Sequence, residues 1–115
     1  MLSTTRYRRG DIVLVPFPFS DLSSTKKRPA LVVSPDGFNK RTQDVVLVAI
    51  TSQPSDSYVV ALSEADYVDG ELPLASFVKI SKLFTIHPTL VLKKVCAVRP
   101  TRLEIVLKEL RRFFR

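Results

Sequence analysis

The sequence has few of the residues that build metal sites and phosphate-binding loops. Its 115 residues include one cysteine, one histidine, three glycines and no tryptophan. A lone Cys96 excludes an internal disulfide and a zinc site made of several thiolates. A lone His87 excludes an acid–base pair of two histidines in one chain, and the scattered glycines exclude a glycine-rich phosphate loop. The sequence therefore predicts neither a metal nor a cofactor.

Long apolar segments are also missing. The longest run, residues 12–19, is far shorter than the roughly 20 residues that span a bilayer, and Pro16 and Pro18 interrupt it. Asp11 at its start, and the lack of a small-residue cleavage site after it, argue against a signal peptide. We expect a cytoplasmic protein without a membrane segment. The length and the 45% hydrophobic content predict a single domain over residues 1–115.

The charge is positive and unevenly distributed. Eighteen lysines and arginines against eleven acids leave a net charge of +7. Residues 56–71 carry five acids and no base, whereas residues 93–115 carry eight bases and two acids. Such a distribution indicates a polyanionic partner, because phosphate contacts release counterions on binding. A basic surface that serves only solubility is the alternative, and charge alone does not choose between DNA, RNA and an acidic protein.

The hydrophobic pattern predicts several short strands and one terminal helix. A capping box at Thr101 and Glu104, followed by apolar residues at steps of three and four from Leu103 to Phe114, indicates the helix. Residues 34–37 have the composition of a turn. These elements favour an α+β fold, mainly β: a small barrel or curled antiparallel sheet with a C-terminal helix. The predicted strands cover residues 12–19, 30–33, 44–50, 58–62, 76–80 and 91–98.

Elimination leaves a guanidinium and hydroxyl groups as candidates for chemistry. Arg28 lies at a junction of loop and strand, and Thr51 and Ser52 follow a strand that is apolar throughout. Guanidinium offers paired donors to a phosphate and keeps its charge, and a hydroxyl donates to or accepts from a phosphoryl oxygen. Such groups suit a site that stabilises a pentavalent phosphorane. The pattern is not specific by itself, because any basic protein has arginines near serines.

Four motifs, in this order, make the sequence similar to one toxin family, the MazF/PemK family. They are Arg9-Gly-Asp-Ile-Val-Leu-Val-Pro-Phe-Pro-Phe19, Lys27-Arg-Pro-Ala-Leu-Val-Val-Ser34, Phe38-Asn39 and Val48-Ala-Ile-Thr-Ser52. The resemblance implies an SH3-like barrel that forms a two-fold homodimer. It also implies the toxin of a type II toxin–antitoxin system, a metal-independent endoribonuclease that cuts single-stranded RNA at short sequences. A cognate antitoxin would hold it inactive, and DNA would be contacted only through the antitoxin complex.

The resemblance also implies two catalytic residues. The arginine of the family's Arg-Pro motif falls on Arg28, and the threonine of its Ile-Thr-Ser motif falls on Thr51. The implied reaction is attack by a ribose 2′-OH on the adjacent phosphate, which leaves a 2′,3′-cyclic phosphate and a 5′-OH. We expect Arg28 to clamp the developing charge and Thr51 to orient a phosphoryl oxygen or the attacking hydroxyl.

RNA specificity is expected from bases that stack on aromatic rings and bond to loop groups. Strand alternation leaves open whether Phe17 serves this role or points into the core. Residues 79–82 and 95–98 depart from the family pattern, which bears on substrate preference and dimer contacts. The candidates for substrate binding are Phe17, Phe19, Lys26, Lys27, Ser52, Gln53 and Lys79.

Two other functions fit the same fold. One is a non-enzymatic gyrase inhibitor resembling CcdB, which acts through its terminal helix. The other is an RNA-binding module without activity. The Arg-Pro and Ile-Thr-Ser motifs favour the ribonuclease, because a gyrase binder has no need for them.

Overall fold

The computed structural model describes residues 7–17 and 26–115, which form one seven-stranded sheet with antiparallel pairing throughout. The strands are β1 Asp11–Phe17, β2 Lys26–Val32, β3 Val45–Thr51, β4 Val59–Leu62, β5 Tyr67–Val68, β6 Ser76–Ile86 and β7 Lys93–Val98. The helices are α1 Asp36–Arg41 and α2 Pro100–Phe113, with 3-10 turns at Glu64–Asp66 and Pro88–Leu90. Within the described ranges, no helix has the length and apolarity needed to cross a bilayer.

The order of the strands curls the sheet into a nearly closed barrel. The order across the sheet is β4-β6-β3-β2-β1-β7-β5, so β4 and β5 are its outer strands. These two strands are consecutive in the chain and are joined only by residues 63–66. Because so short a connection links the two edges, they must lie close together. Helix α2 packs on β6 and β4. The expected small barrel with a C-terminal helix is confirmed.

The central strands are buried on both faces. Leu31 and Val32 are neighbours in β2 and both have no exposed surface, yet they belong to different apolar clusters. Side chains alternate across a strand, so this division shows that each face of the sheet has its own core. The first core, which lies under α2, includes Ile12, Leu31, Val48, Ile80, Val106 and Leu110. The second includes Val13, Val15, Val32, Leu47 and Val91.

Strand prolines occupy positions where one neighbouring strand is missing. Pro16 comes two residues after Leu14, the last residue of β1 that pairs with β7. Pro29 precedes Ala30, where the pairing of β2 with β3 begins. Proline has no N–H to donate to a ladder, so it is tolerated where a ladder is absent. As a result, β2 and β3 are unpaired next to Arg28.

Both helices differ in part from the predictions. A helix, α1, forms at Asp36–Arg41, where the composition predicted a turn at 34–37. It is stabilised by tertiary contacts, since the buried Asn39 amide donates to the carbonyls of Tyr7 and Ser34. The predicted capping box at residues 101 and 104 is wrong, because α2 begins earlier, with Pro100 at its first position. Proline fits there, since a first-turn N–H has no helical partner.

Asp66 ties the turn between β4 and β5 to helix α2. Its Oδ2 accepts from the Ser63 N–H at 2.8 Å, and its Oδ1 lies 3.1 Å from Nε of Arg102. Burial acts to raise the pKa of Asp66, but the Ser63 N–H and the Arg102 guanidinium outweigh it, so the pKa is lowered. The folded state therefore favours the ionised carboxylate.

We predict that Asp66→Asn lowers the free energy of unfolding at pH 7 by about 1–2 kcal/mol, because a neutral amide loses the ion pair. A lowered pKa contributes stability at neutral pH that is lost as the pH falls through the folded-state value. The difference between the urea unfolding curves of wild type and variant should therefore become smaller as the pH is lowered. Asp69→Asn is the control, since Asp69 is exposed and asparagine tolerates its φ of 58°. Equal stability of wild type and Asp66→Asn at neutral pH would contradict this role.

Candidate active site

The register of β2 and β3 relates Arg28 to Thr51. The two strands pair from Ala30 opposite Ala49 to Val32 opposite Leu47. Continued by two residues, the same antiparallel register sets Arg28 opposite Thr51. The two strands are no longer paired at this point, while Thr51 still pairs with Phe77 of β6 on the opposite edge of β3. Arg28 and Thr51 therefore flank an opening at the end of the β2–β3 ladder.

A cleft of about 330 Å³ occupies this opening, and both Arg28 and Thr51 line it. Its volume is within the range of about 300–1,000 Å³ that is usual for small-ligand sites. The cleft has a cationic part, a set of hydroxyls, an apolar floor and an apolar lip formed by residues 72–74. The cationic part consists of Lys27, Arg28 and Lys93, and the hydroxyls belong to Thr51, Ser52 and Ser76. The floor is formed by Leu14, Ile50 and Val95, and the lip by Leu72, Pro73 and Leu74.

The electrostatics of the cleft favour an anion. Lys27, Arg28 and Lys93 contribute three positive charges, and none of the described residues that line the cleft is acidic. Among the residues that the structure describes, no carboxylate forms an ion pair with any of the three. Cations that lack partners and share one concave surface raise the local concentration of anionic ligands. The cleft is therefore suited to bind phosphate groups.

The Thr51 hydroxyl is oriented by its own loop. The backbone N–H of Gln53 donates to Thr51 Oγ1 at 3.1 Å. This bond uses one acceptor position of the oxygen and leaves the hydroxyl proton free for another partner. Thr51 is half-buried, so a ligand in the cleft can reach the hydroxyl. The Thr51 hydroxyl is therefore available to donate a hydrogen bond to a ligand in the cleft.

The structure brings some of the other candidate residues to the cleft. Lys27 and Ser52 line it together with Arg28 and Thr51. Lys26 is exposed beside Lys27 but does not contribute to the lining. Gln53 acts through its backbone, because its exposed side chain is not part of the wall.

The remaining candidates for substrate binding lie away from the cleft or outside the residues that the structure describes. Lys79 belongs to β6, opposite Val59 of β4, and its ammonium lies 3.2 Å from Oδ2 of Asp56. The structure therefore does not bring Lys79 into the cleft. The side chain of Phe17 and the whole of Phe19 lie outside the described residues.

Sequence reasoning missed Lys93 and the lip formed by residues 72–74. Lys93 reaches the cleft because β7 pairs with β1, where it lies opposite Leu14. The next residue, Lys94, is not in the lining, and its Nζ lies 3.2 Å from the buried Asp11. Strand alternation separates two such neighbouring lysines, but the sequence does not tell which of them faces the cleft.

Two residues of chemically versatile types, Cys96 and His87, are used structurally. Cys96 is buried, and burial raises the pKa of its thiol to about 11. A thiol of that kind is unreactive and packs as a small apolar side chain. His87 lies at the surface, where its Nδ1 accepts from the Thr89 N–H. Neither lines the cleft, whose described polar side chains are a guanidinium, ammonium groups and hydroxyls.

Known proteins share this fold over nearly the whole chain. An endoribonuclease from Mycobacterial species is 22% identical with a TM-score of 0.76, covering 96% of this chain and 93% of that chain. An endoribonuclease in complex with its cognate antitoxin, also from Mycobacterial species, is 21% identical with a TM-score of 0.76, covering 96% and 95%. MazF from Deinococcus radiodurans is 18% identical with a TM-score of 0.74, covering 96% and 98%. Identities this low show a common fold.

The family itself is shown by the sequence. No curated protein matches the chain. A family model does match, and it spans residues 8–114, which is almost the entire sequence. The matched segment includes both Arg28 and Thr51 and every strand and helix described above. The chain belongs to the PemK-like, MazF-like toxins of type II toxin–antitoxin systems.

Proposed function

We propose that this protein is an endoribonuclease that cuts single-stranded RNA at short sequences, without a metal ion, by transesterification. The observation that supports the proposal is that Arg28 and Thr51 line one cationic cleft. RNA brings its own nucleophile, the ribose 2′-OH, so the protein needs only to hold and stabilise the reacting phosphate. A site built from a guanidinium and a hydroxyl meets that requirement.

In the proposed reaction the 2′-oxygen attacks the adjacent phosphorus and the bond from phosphorus to the 5′-oxygen breaks. The products are a 2′,3′-cyclic phosphate and a 5′-OH, and no water is consumed. Negative charge builds up on the non-bridging oxygens as the phosphorane forms. The Arg28 guanidinium holds these oxygens with two parallel N–H donors, and the Thr51 hydroxyl donates to one of them.

The two protons of the reaction are assigned to solvent. The 2′-OH loses one proton, and the departing 5′-oxygen gains one. The described lining of the cleft contains no carboxylate and no imidazole that could carry either of them. The proposal therefore gives the protein charge stabilisation and orientation, which are often the largest contributions to catalysis.

The remainder of the cleft is proposed to bind the RNA on either side of the cut. Lys27 and Lys93 hold the flanking phosphates. Leu74 in the lip is 65% exposed and offers an apolar surface against which a base can pack. Because RNA modules read sequence mainly from unpaired bases, a single strand is the fitting substrate.

Lys93→Gln should raise the KM for RNA about tenfold with little change in kcat, because it removes one charge-assisted contact to a phosphate outside the reacting centre. The plot of the logarithm of the binding constant against the logarithm of the salt concentration should also become less steep, by about the amount that one phosphate contact contributes. Lys94→Gln is the matched control. It makes the same change in charge one residue away, and glutamine can still donate to Asp11. Equal effects of the two variants on KM would contradict a specific contact by Lys93.

The same proposal includes two protein partners. One solved relative is described as a complex with its cognate antitoxin, and another as MazE–MazF from Deinococcus radiodurans. We propose that this chain likewise forms a homodimer in the cytoplasm and is inhibited by a cognate antitoxin. Light scattering on the purified protein tests the dimer, and an RNA-cleavage assay with added antitoxin tests the inhibition.

The proposed activity is tested by incubating the purified protein with single-stranded RNA in excess EDTA and mapping the ends. Cuts at defined sequences with 2′,3′-cyclic phosphate ends would support the proposal. Gyrase-dependent DNA breakage without RNA cuts would replace it with the CcdB-like function. Salt-sensitive RNA binding without cuts would replace it with an inactive binding module.

A further inference from the structure

The lip of the cleft, residues 72–74, is a loop that is fixed at both ends. At one end Gly70 has a φ of +128°, and a Cβ there would lie 2.8 Å from the Val95 carbonyl oxygen of β7, so glycine permits the close approach. At the other end Ser76 begins β6, and its hydroxyl donates to the Leu74 carbonyl at 2.8 Å. The lip belongs to no described helix or strand, so these two ends determine where it lies.

The Tyr67 hydroxyl is buried beside Ser76 without a hydrogen bond. Tyr67 lies in β5 and is 8% exposed, and its Oη has no hydrogen-bond partner among the residues that the structure describes. Burial raises the pKa of this hydroxyl, and the nearby Ser76 hydroxyl opposes the shift. The two groups are therefore neighbours that lack the geometry of a hydrogen bond. A buried hydroxyl without a partner is unfavourable, because it has lost its contacts with water.

Ser76 can accept a bond from Tyr67 without losing the bond that it makes now. A serine hydroxyl has one proton and two acceptor positions. The Leu74 carbonyl takes the proton, so Ser76 Oγ is still able to accept. A small shift at the lip would create a chain in which Tyr67 donates to Ser76 and Ser76 donates to Leu74. The bonds of such a chain strengthen one another, because each polarises the next.

We infer that Tyr67 and Ser76 are positioning residues for the RNA, and that the hydrogen bond between them forms when RNA occupies the cleft. The inference rests on the proposed function. A base packed on Leu74 holds the lip in the arrangement that completes the chain, and the chain fixes Leu74 against the base. Tyr67 is not among the described residues that line the cleft, so it acts through Ser76. The free protein carries the unfavourable hydroxyl and the complex does not, which favours the bound arrangement.

Tyr67→Phe distinguishes this role from a purely structural one, because it removes only the hydroxyl. In the free protein it removes a buried group without a described partner, so the temperature of thermal unfolding should be unchanged or higher. The same variant should bind RNA about fivefold more weakly, because the complex loses a hydrogen bond. In cleavage assays KM should rise about fivefold with little change in kcat.

Binding is measured by fluorescence anisotropy with a labelled single-stranded oligonucleotide. It carries a mapped cleavage sequence and lacks the 2′-OH at the cut, so it is bound but not cleaved. Ser76→Ala should weaken its binding about tenfold, since both bonds of the chain are lost. Adding Tyr67→Phe to Ser76→Ala should have no further effect, because the acceptor is already gone.

Tyr58→Phe is the matched control. It makes the same chemical change at a tyrosine that is 59% exposed and is not among the described residues of the cleft, so it should leave RNA binding unchanged.

If wild type cuts RNA but Tyr67→Phe binds the oligonucleotide as tightly as wild type, the inference is overturned and the proposed function stands. Equal weakening by Tyr58→Phe, additive effects of Tyr67→Phe and Ser76→Ala, or a lower unfolding temperature for Tyr67→Phe would overturn it in the same way. A wild-type protein that neither cuts nor binds RNA would overturn both.

Discussion

Replacing Arg28 with alanine should lower kcat for RNA cleavage about 10³-fold, and lysine should restore at most about a tenth of the lost rate. Alanine removes both the charge and the paired donors from the β2 side of the cleft. Lysine returns a positive charge, but its ammonium cannot hold two phosphoryl oxygens with a planar fork. The fold should be retained, because Arg28 lies outside the paired part of β2 and β3. Single-turnover cleavage measures the effect, with circular dichroism as the check on folding.

Arg41→Lys is the matched control for this experiment. Arg41 is an exposed residue in the last turn of α1 and does not line the cleft. It should keep wild-type activity. An Arg28→Lys variant with wild-type kcat would show that only the charge is needed and would refute the clamp.

Thr51→Val should lower kcat about 100-fold, because it removes one donor to the phosphorane while keeping the branched shape of the side chain. The Gln53 N–H loses its acceptor, but it lies in an exposed loop where water can replace the hydroxyl. Stability should therefore change little. Thr51→Ser keeps the hydroxyl and should retain most of the activity. Thermal unfolding of each variant separates a loss of chemistry from a loss of fold.

The neighbouring hydroxyl provides the control for Thr51. Ser52 lines the same cleft but follows the end of β3, and no described backbone group orients its side chain. Ser52→Ala should lower kcat by less than about tenfold. If Ser52→Ala were more damaging than Thr51→Val, the roles of the two hydroxyls would have to be exchanged.

The central strands could be predicted because their sequence is unambiguous. Residues 45–51 form a nearly continuous apolar run, and β3 is buried on both faces. Elements with mixed composition were missed. Strand β6 continues to Ile86, beyond the predicted end at residue 80, through a segment where polar and apolar residues mix. Helix α1 was missed because its stability depends on the burial of Asn39 against distant carbonyls, which local composition does not reveal.

The site was predictable only in part, and for a similar reason. Arg28 and Thr51 came from short motifs, and the β2–β3 register now accounts for their shared position. Lys93 depends on the pairing of β7 with β1, a contact between the two ends of the chain that no local pattern indicates. Which of Lys93 and Lys94 faces the cleft depends on Asp11, because the Asp11 carboxylate forms an ion pair with Lys94 on the other face of the strand. Roles for Phe17 and Phe19 in stacking bases stay predictions.

The central claim is that one scissile phosphate contacts Arg28 and Thr51 together. A crystal structure with a single-stranded oligonucleotide that lacks the 2′-OH at the cleavage site tests this directly, because that substrate binds but has no nucleophile. Our account predicts that the phosphate following the deoxynucleotide accepts hydrogen bonds from both the Arg28 guanidinium and Thr51 Oγ1. A phosphate held by only one of the two residues, or an oligonucleotide bound outside this cleft, would contradict it.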